Sequence, residues 1–230
     1  MIENEYPTAN SPQDSATNRV FSILYDAVIS LALPPGTKVS EASIAQQLCV
    51  SRQPVRDAFY RLGALGFLEI RPQRPTLISK ISEKAVVDAV FTRTALEIEC
   101  LRTIIIKNEM ACLPVLKNVL QKQEQALSDD NPAVYHSHDE EFHRVLCDSA
   151  RHPHVWKLII EQKAHMDRVR YLTLSNTQRG RVLKEHSEIV TAIEAKNIQH
   201  AESLLRSHIN GVLTILPKIK KRFPQHFGES

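Results

Sequence analysis

Glycine is scarce, with six in 230 residues. Strand-like runs are few after residue 81, so most of the chain reads as helix. Cysteine is sparse too. Cys49, Cys100, Cys112 and Cys147 are scattered and form no CxxC pair, which speaks against a disulfide scaffold and fits reduced thiols in a cytoplasmic chain. No apolar run approaches the length of a membrane span, which excludes a helical membrane protein. Residues 1–18 lack an apolar h-region and any basic residue, while carrying Glu3, Glu5, Asp14 and two prolines. That composition predicts a disordered leader, neither signal peptide nor anchor. There is no internal repeat and no low-complexity tract. A large charge excess is also missing: the net charge of +3 is too small to identify a nucleic-acid binder by itself.

What is present concentrates first in residues 40–61, SEASIAQQLCVSRQPVRDAFYR. The pattern predicts two short amphipathic helices meeting at a tight turn. Ser51 is suited to cap the second. Val50 and Val55 have the spacing of a hydrophobic staple. Val55, Ala58, Phe59 and Leu62 recur as a buried stripe. Arg52, Gln53 and Arg56 fall off that stripe and project together from the first turn and a half. Pro54 is tolerable there because first-turn N–H groups lack intrahelical partners anyway. The free N–H groups suit a phosphate.

An ordinary helical hairpin with a solvated basic face would share these features, and the flanks decide against it. Val20, Ile23, Leu24, Ala27, Val28 and Leu31 mark a preceding amphipathic helix, closed by Pro34-Pro35-Gly36. Gly66 is placed to cap the helix after Ser51. Leu68 and Ile70 alternate with polar residues, residues 72–75 make a turn, and Leu77, Ser79 and Ile81 resume the alternation. Three helices and a β-hairpin make a winged helix-turn-helix over 19–81, with Arg71 and Arg74 near the wing tip. Residues 19–80 carry eight Lys/Arg against four Asp/Glu.

From Ser82 to about 216 the periodicity is helical throughout and predicts an antiparallel bundle. Helices are expected from Ser82, over 109–127, from Asn131-Pro132 to 149, from His152-Pro153 to about 174, from 175–177 to 196, and from Asn197 to Pro217. Residues 217–230 read as a frayed basic tail. In the bundle, Asp139 and His143 are four apart on one helix face. His186 and His208 each lie eleven residues from Asn197, so an antiparallel hairpin sets them at one level. One carboxylate and three imidazoles would suit a divalent transition ion such as zinc, with positions open for water or a ligand. Ten histidines make chance groupings easy, and core or surface histidines remain the alternative at this stage. His136, His138, His152 and His154 read as solvated.

The segment PPGTKVSEASIAQQLCVSRQPVRDAFYRLGALGFLEIRPQRPTLIS resembles the N-terminal domain of GntR-type transcriptional regulators. DEEFH at 139–143, KEH at 184–186 and RSH at 206–208 resemble the effector-binding FCD domain of the FadR subfamily. The resemblance spans about residues 19–216. It implies a homodimer whose helical domain binds a small carboxylated metabolite beside a metal ion. By position, Asp139, His143, His186 and His208 match the ligand pattern, with zinc first and nickel, manganese or iron as alternatives. Arg93, in FTRTALEIE, matches an arginine facing the effector cavity, where its planar fork would clamp a carboxylate. A surface ion pair with Glu97 at i,i+4 is the other reading of Arg93. Pro75 stands where the family wing usually has glycine, and Ala42 where some relatives use arginine.

These readings converge on a mainly α protein, a winged helix-turn-helix followed by an all-α bundle. The function expected is a sequence-specific repressor of a double-stranded DNA operator, released by a small organic acid. Arg52 and Arg56 would meet base edges or phosphates, Gln53 an adenine or phosphate, and Ser51 the backbone. The alternatives are a metal-dependent hydrolase using the same three histidines and aspartate, or a DNA binder with no effector.

Overall fold

The computed structural model describes residues 15–71, 74–173 and 175–228. The chain divides into two compact units, one of residues 1–82 with 222–230, the other of residues 83–221. Most of the expected disordered leader lies outside the described residues, as does part of the wing-tip turn. The leader's last residues are helical, because Ser15 caps α1 (Ala16–Ile29) through a 3.2 Å bond from the Asn18 amide to its hydroxyl.

In the first unit α1 is followed by β1 (Lys38–Val39), α2 (Glu41–Gln47), α3 (Arg52–Ala64), β2 (Leu68–Glu69) and β3 (Thr76–Ile78). Ser40 caps α2 through the Ser43 amide. The anticipated stripe of α3, Val55, Ala58, Phe59 and Leu62, is buried with Val20, Leu24 and Val28 of α1. Gly66 ends α3 at φ +77, a left-handed conformation that glycine adopts without penalty. The hairpin pairs Leu68 with Ile78 and Glu69 with Leu77. β1, absent from the sequence reading, adds a third antiparallel strand on the other side of β3, pairing Lys38 with Leu77. Two residues are too short for a period-2 signal to show.

The second unit is helical: α4 (Glu83–Ile106), α5 (Cys112–Ser128), α6 (Pro132–Ser149), α7 (Pro153–Gln162), α8 (Ala164–Tyr171), α9 (Asn176–Glu194) and α10 (Ile198–Arg222). α5 packs on α6 and α9, and α4 packs on α6, α7 and α8. Asn131 caps α6 with proline following at N1. Two expectations fail here. The single helix anticipated from 153 to about 174 breaks at Lys163, whose buried ammonium pairs with Glu140 of α6 and Asp167 of α8. The pair with Glu140 joins distant segments and leaves no local signature, whereas the one with Asp167 is an i,i+4 pair. The last helix runs through Pro217 to Arg222, with Leu216 and Ile219 buried on either side of the proline. The expected frayed tail is thus helical at its start. Beyond it, residues Pro224–His226 form a 3-10 turn, and Phe227 is buried and bridges Ile81 within the first unit.

Candidate functional sites

The DNA-reading candidates sit at one end of α3. Ser51 occupies the N-cap position with extended backbone, yet its hydroxyl makes no capping bond, contrary to the cap chemistry expected of it. Arg52, Gln53 and Arg56 are exposed, as their absence from the apolar stripe requires. Gln53 donates to Asp57 at 2.9 Å, and Arg56 Nε lies 3.2 Å from Glu41 Oε2 on α2. Tyr60, one turn beyond Arg56, is 77% exposed and was not singled out from the sequence. On the wing, Arg71 pairs with Glu69 at 2.8 Å and Arg74 is exposed.

The second constellation is buried in the helical unit. Asp139 and His143 come from α6, His186 from α9 and His208 from α10, and one ligand atom from each lies within 4.8 Å of all the others. His208 Nε2 is 3.2 Å from both His186 Nε2 and His143 Nε2, while Asp139 Oδ1 is 3.8 Å from His186 Nε2. The opposite ring nitrogens are each anchored. His143 Nδ1 meets Glu97 Oε2 at 2.6 Å, His186 Nδ1 meets Gln123 Oε1 at 2.9 Å, and His208 Nδ1 meets Glu185 Oε2 at 2.8 Å. An acceptor at each Nδ1 selects the tautomer protonated there, which turns three Nε2 lone pairs toward one point. Burial, then the neighbouring His208, holds the His186 pKa well below the ordinary imidazole value. Neutral imidazoles with lone pairs facing at 3.2 Å repel one another unless a cation lies between them. That spacing is also what metal–nitrogen bonds of about 2.0 Å set between neighbouring ligands. The donor set therefore fits a divalent transition ion.

Asp139 also has a cationic neighbour. Arg170 of α8 donates from Nη2 to Oδ1 at 2.7 Å, with the same nitrogen 2.6 Å from Oδ2. Burial acts to raise the Asp139 pKa, but Arg170 and the three histidines outweigh it and hold the carboxylate ionised. Glu97 also serves two partners: Oε2 holds His143 and Oε1 accepts from Arg93 Nε at 2.6 Å. Its pKa falls to about 2, because Arg93 and His143 outweigh the upward push of burial. The Arg93–Glu97 pair exists, then, but as a buried bridge rather than a surface contact.

Beside the cluster opens a cavity of about 590 Å³, counting its mouth, bordered by Asp139 and His208. Arg93 borders it as expected; Arg170 and Arg179 border it unannounced by the sequence. Among the described residues, Arg93 Nη2, Arg170 Nη1, and Arg179 Nε and Nη1 are buried without a hydrogen-bond partner. Burying a guanidinium N–H without a partner is costly, so these donors suit an anionic acceptor. Spacing was the only available signal: Arg179 stands seven residues before His186 on α9, and two helical turns keep both on one face. His136, read as solvated, is half-buried on the cavity wall.

A winged helix-turn-helix and a helical unit carrying this cluster define a bacterial transcription regulator, and comparison with known proteins agrees. Residues 16–78 match the model of bacterial regulatory proteins of the gntR family, and residues 88–211 match the FCD domain. The chain belongs to the gntR family, in the group that carries an FCD domain. It is 28% identical over 224 residues to the HTH-type transcriptional repressor RspR of Escherichia coli K12, covering 96% of this chain and 98% of that one. It is 28% identical over 181 residues, 79% of this chain and 80% of the other, to a probable D-xylose utilization operon transcriptional repressor of Paenarthrobacter nicotinovorans. The solved structure of E. coli McbR/YncC shares the fold, with a TM-score of 0.77 at 20% identity over 90% of this chain and 99% of that one. The family is one of regulatory proteins and the two sequence relatives are named as transcriptional repressors, which removes the hydrolase alternative. Among the described residues no helix is long and apolar enough to cross a membrane.

Proposed function

We propose that the protein is a repressor whose grip on a two-fold symmetric operator is controlled by a small organic acid held beside a divalent metal. The reading rests most on one observation: three Nε2 edges and one carboxylate converge while every Nδ1 is tied to an acceptor. Asp139, His143, His186 and His208 would hold the ion, with zinc the first choice for an N₃O donor set and nickel, manganese or iron next. When bound, the ion supplies a Lewis-acid anchor for an oxygen of the effector. Glu97, Gln123 and Glu185 orient the imidazoles that hold it. Arg93 offers a free Nη2 to the effector's carboxylate while its Nε stays on Glu97.

At the other site, Arg52 and Arg56 read base edges or phosphates, Gln53 assists, and Ser51, Arg71 and Arg74 grip the backbone. The uncapped Ser51 hydroxyl supports its assignment to phosphate. Two copies are needed to read two half-sites, so the working unit is a homodimer. Effector control requires that the acid bind the DNA-releasing state more tightly than the DNA-holding state. The relatives named as repressors support that sign of regulation.

Elemental analysis of purified protein tests the site itself. Close to one divalent ion per chain is expected, with His186→Ala and His208→Ala each losing it. Full metal content in both variants would overturn the four-ligand assignment.

A further inference from the structure

The arginines of the cavity are more numerous than one carboxylate needs, and one of them stands apart from the metal cluster. Arg179 is 2% exposed, yet Nε and Nη1 have no hydrogen-bond partner among the described residues. Among the described residues its ion pair is from Nη2 to Asp130, a residue 72% exposed, and its guanidinium lies 5.9 Å from the Tyr135 ring centroid. An exposed partner of that kind contributes at most about 1 kcal/mol and cannot offset the burial of a guanidinium. Arg179 lies two turns before His186 on α9, about 10 Å along the helix axis at about 1.5 Å per residue. The cavity wall carries Val182, Ile209 and Val212 beside polar residues, Gln178, Arg181 and Glu185 among them.

We infer that Arg179 is a second anion subsite, and that the effector is an acid with anionic groups at both ends. This rests on the effector reading above and narrows it. One carboxylate sits at the metal end with Arg93 and Arg170, and the other accepts from the open Nε and Nη1 of Arg179. Asp130 competes for the same guanidinium, so it sets how readily Arg179 turns to the ligand.

Isothermal titration of the metal-loaded full-length protein tests this with unbranched α,ω-dicarboxylates from malonate to suberate and the monocarboxylates of equal carbon number. A matched dicarboxylate should bind about tenfold or more tighter than its monocarboxylate, as a charge-assisted pair contributes. Affinity should pass through an optimum in chain length. Arg179→Met should collapse the difference between the two series. Asp130→Asn, at a left-handed position that asparagine tolerates, should keep the fold and tighten dicarboxylates alone. Equal affinity for the two series in the parent protein, or an Arg179→Met loss shared equally by both, would overturn the second subsite. If Arg179→Met does not fold, an unchanged Asp130→Asn profile would do the same. Binding of neither series by protein with a full metal complement would overturn the effector reading as well.

Discussion

Arg170 Nη2 sits against both carboxylate oxygens of Asp139, at 2.7 and 2.6 Å, so the one carboxylate of the histidine cluster is already neutralised by a guanidinium. Both side chains are buried or nearly so, and the pair holds Asp139 in its orientation while Arg170 Nη1, without a hydrogen bond, lies 4.0 Å from Glu140 Oε1. Replacing the arginine by a residue of similar length without charge leaves a buried anion. Arg170→Met should destabilise the metal-free protein by about 3–5 kcal/mol, as breaking one side of a buried pair does. A divalent ion should restore much of that, since it replaces the missing charge. Melting curves with chelator and with added zinc check both halves; a variant whose zinc response matches the parent's would refute the charge argument.

Glu97 joins Arg93 to His143, which changes what a substitution at Arg93 does. Arg93→Ala removes the cavity donor and also strips Glu97 of a partner at full burial. The expected result is loss of any carboxylate-induced thermal shift together with a lower melting temperature in the absence of ligand. Arg93→Lys should recover stability through its charge but little ligand affinity, because an ammonium cannot reproduce the planar fork. If Arg93→Lys binds carboxylates as the parent does, the anion is held without the fork.

Stability of the metal-free protein should fall as acid is added, in a defined window. Burial, then the Arg168 charge, lowers the His165 pKa from 6.5 to about 4. The unfolded chain therefore takes up that proton first, so the contribution is complete above 6.5 and is lost as pH falls toward 4. The buried His186 and His208 shift in the same direction. Glu97 and Glu140, each held at about 2 against a usual 4.5, add a second loss below 4.5. Thermal melts in chelator at successive pH values should show a falling melting temperature from about pH 6.5 downward. A flat profile between neutrality and pH 5 would contradict it.

On the DNA side, Arg56 is 64% exposed and held by Glu41, a weak pair that gives way to a nucleic-acid contact. Arg56→Ala should cost about 1–3 kcal/mol on the specific operator and relax specificity at one position in each half-site. Anisotropy titrations on operator and random duplexes distinguish this from a phosphate contact, which would weaken both equally.

The winged helix-turn-helix was legible because local signals agree there: apolar periodicity on α3, a cap position at Ser51 and a glycine at the helix end. The histidine cluster was legible for a geometric reason. Equal offsets of His186 and His208 from Asn197 do place their Nε2 atoms 3.2 Å apart. What escaped the sequence depends on contacts between distant segments. The break at Lys163 goes with its ion pair to Glu140 on α6, the passage of α10 through Pro217 with burial on both sides, and β1 with pairing across 39 residues between Lys38 and Leu77. Arg170 and Arg179 gave no motif, since an arginine on a helix is ordinary until its burial is seen.

The most direct test of the account is the affinity of metal-loaded protein for an operator selected from random double-stranded DNA, measured with and without a panel of organic acids. Specific binding is expected, with at least one dicarboxylate lowering operator affinity about 5- to 150-fold, the usual range of allosteric coupling. That release should disappear in the His208→Ala protein, which lacks the metal. Release by a neutral metabolite alone, or by no compound while the metal site is full, would contradict the account.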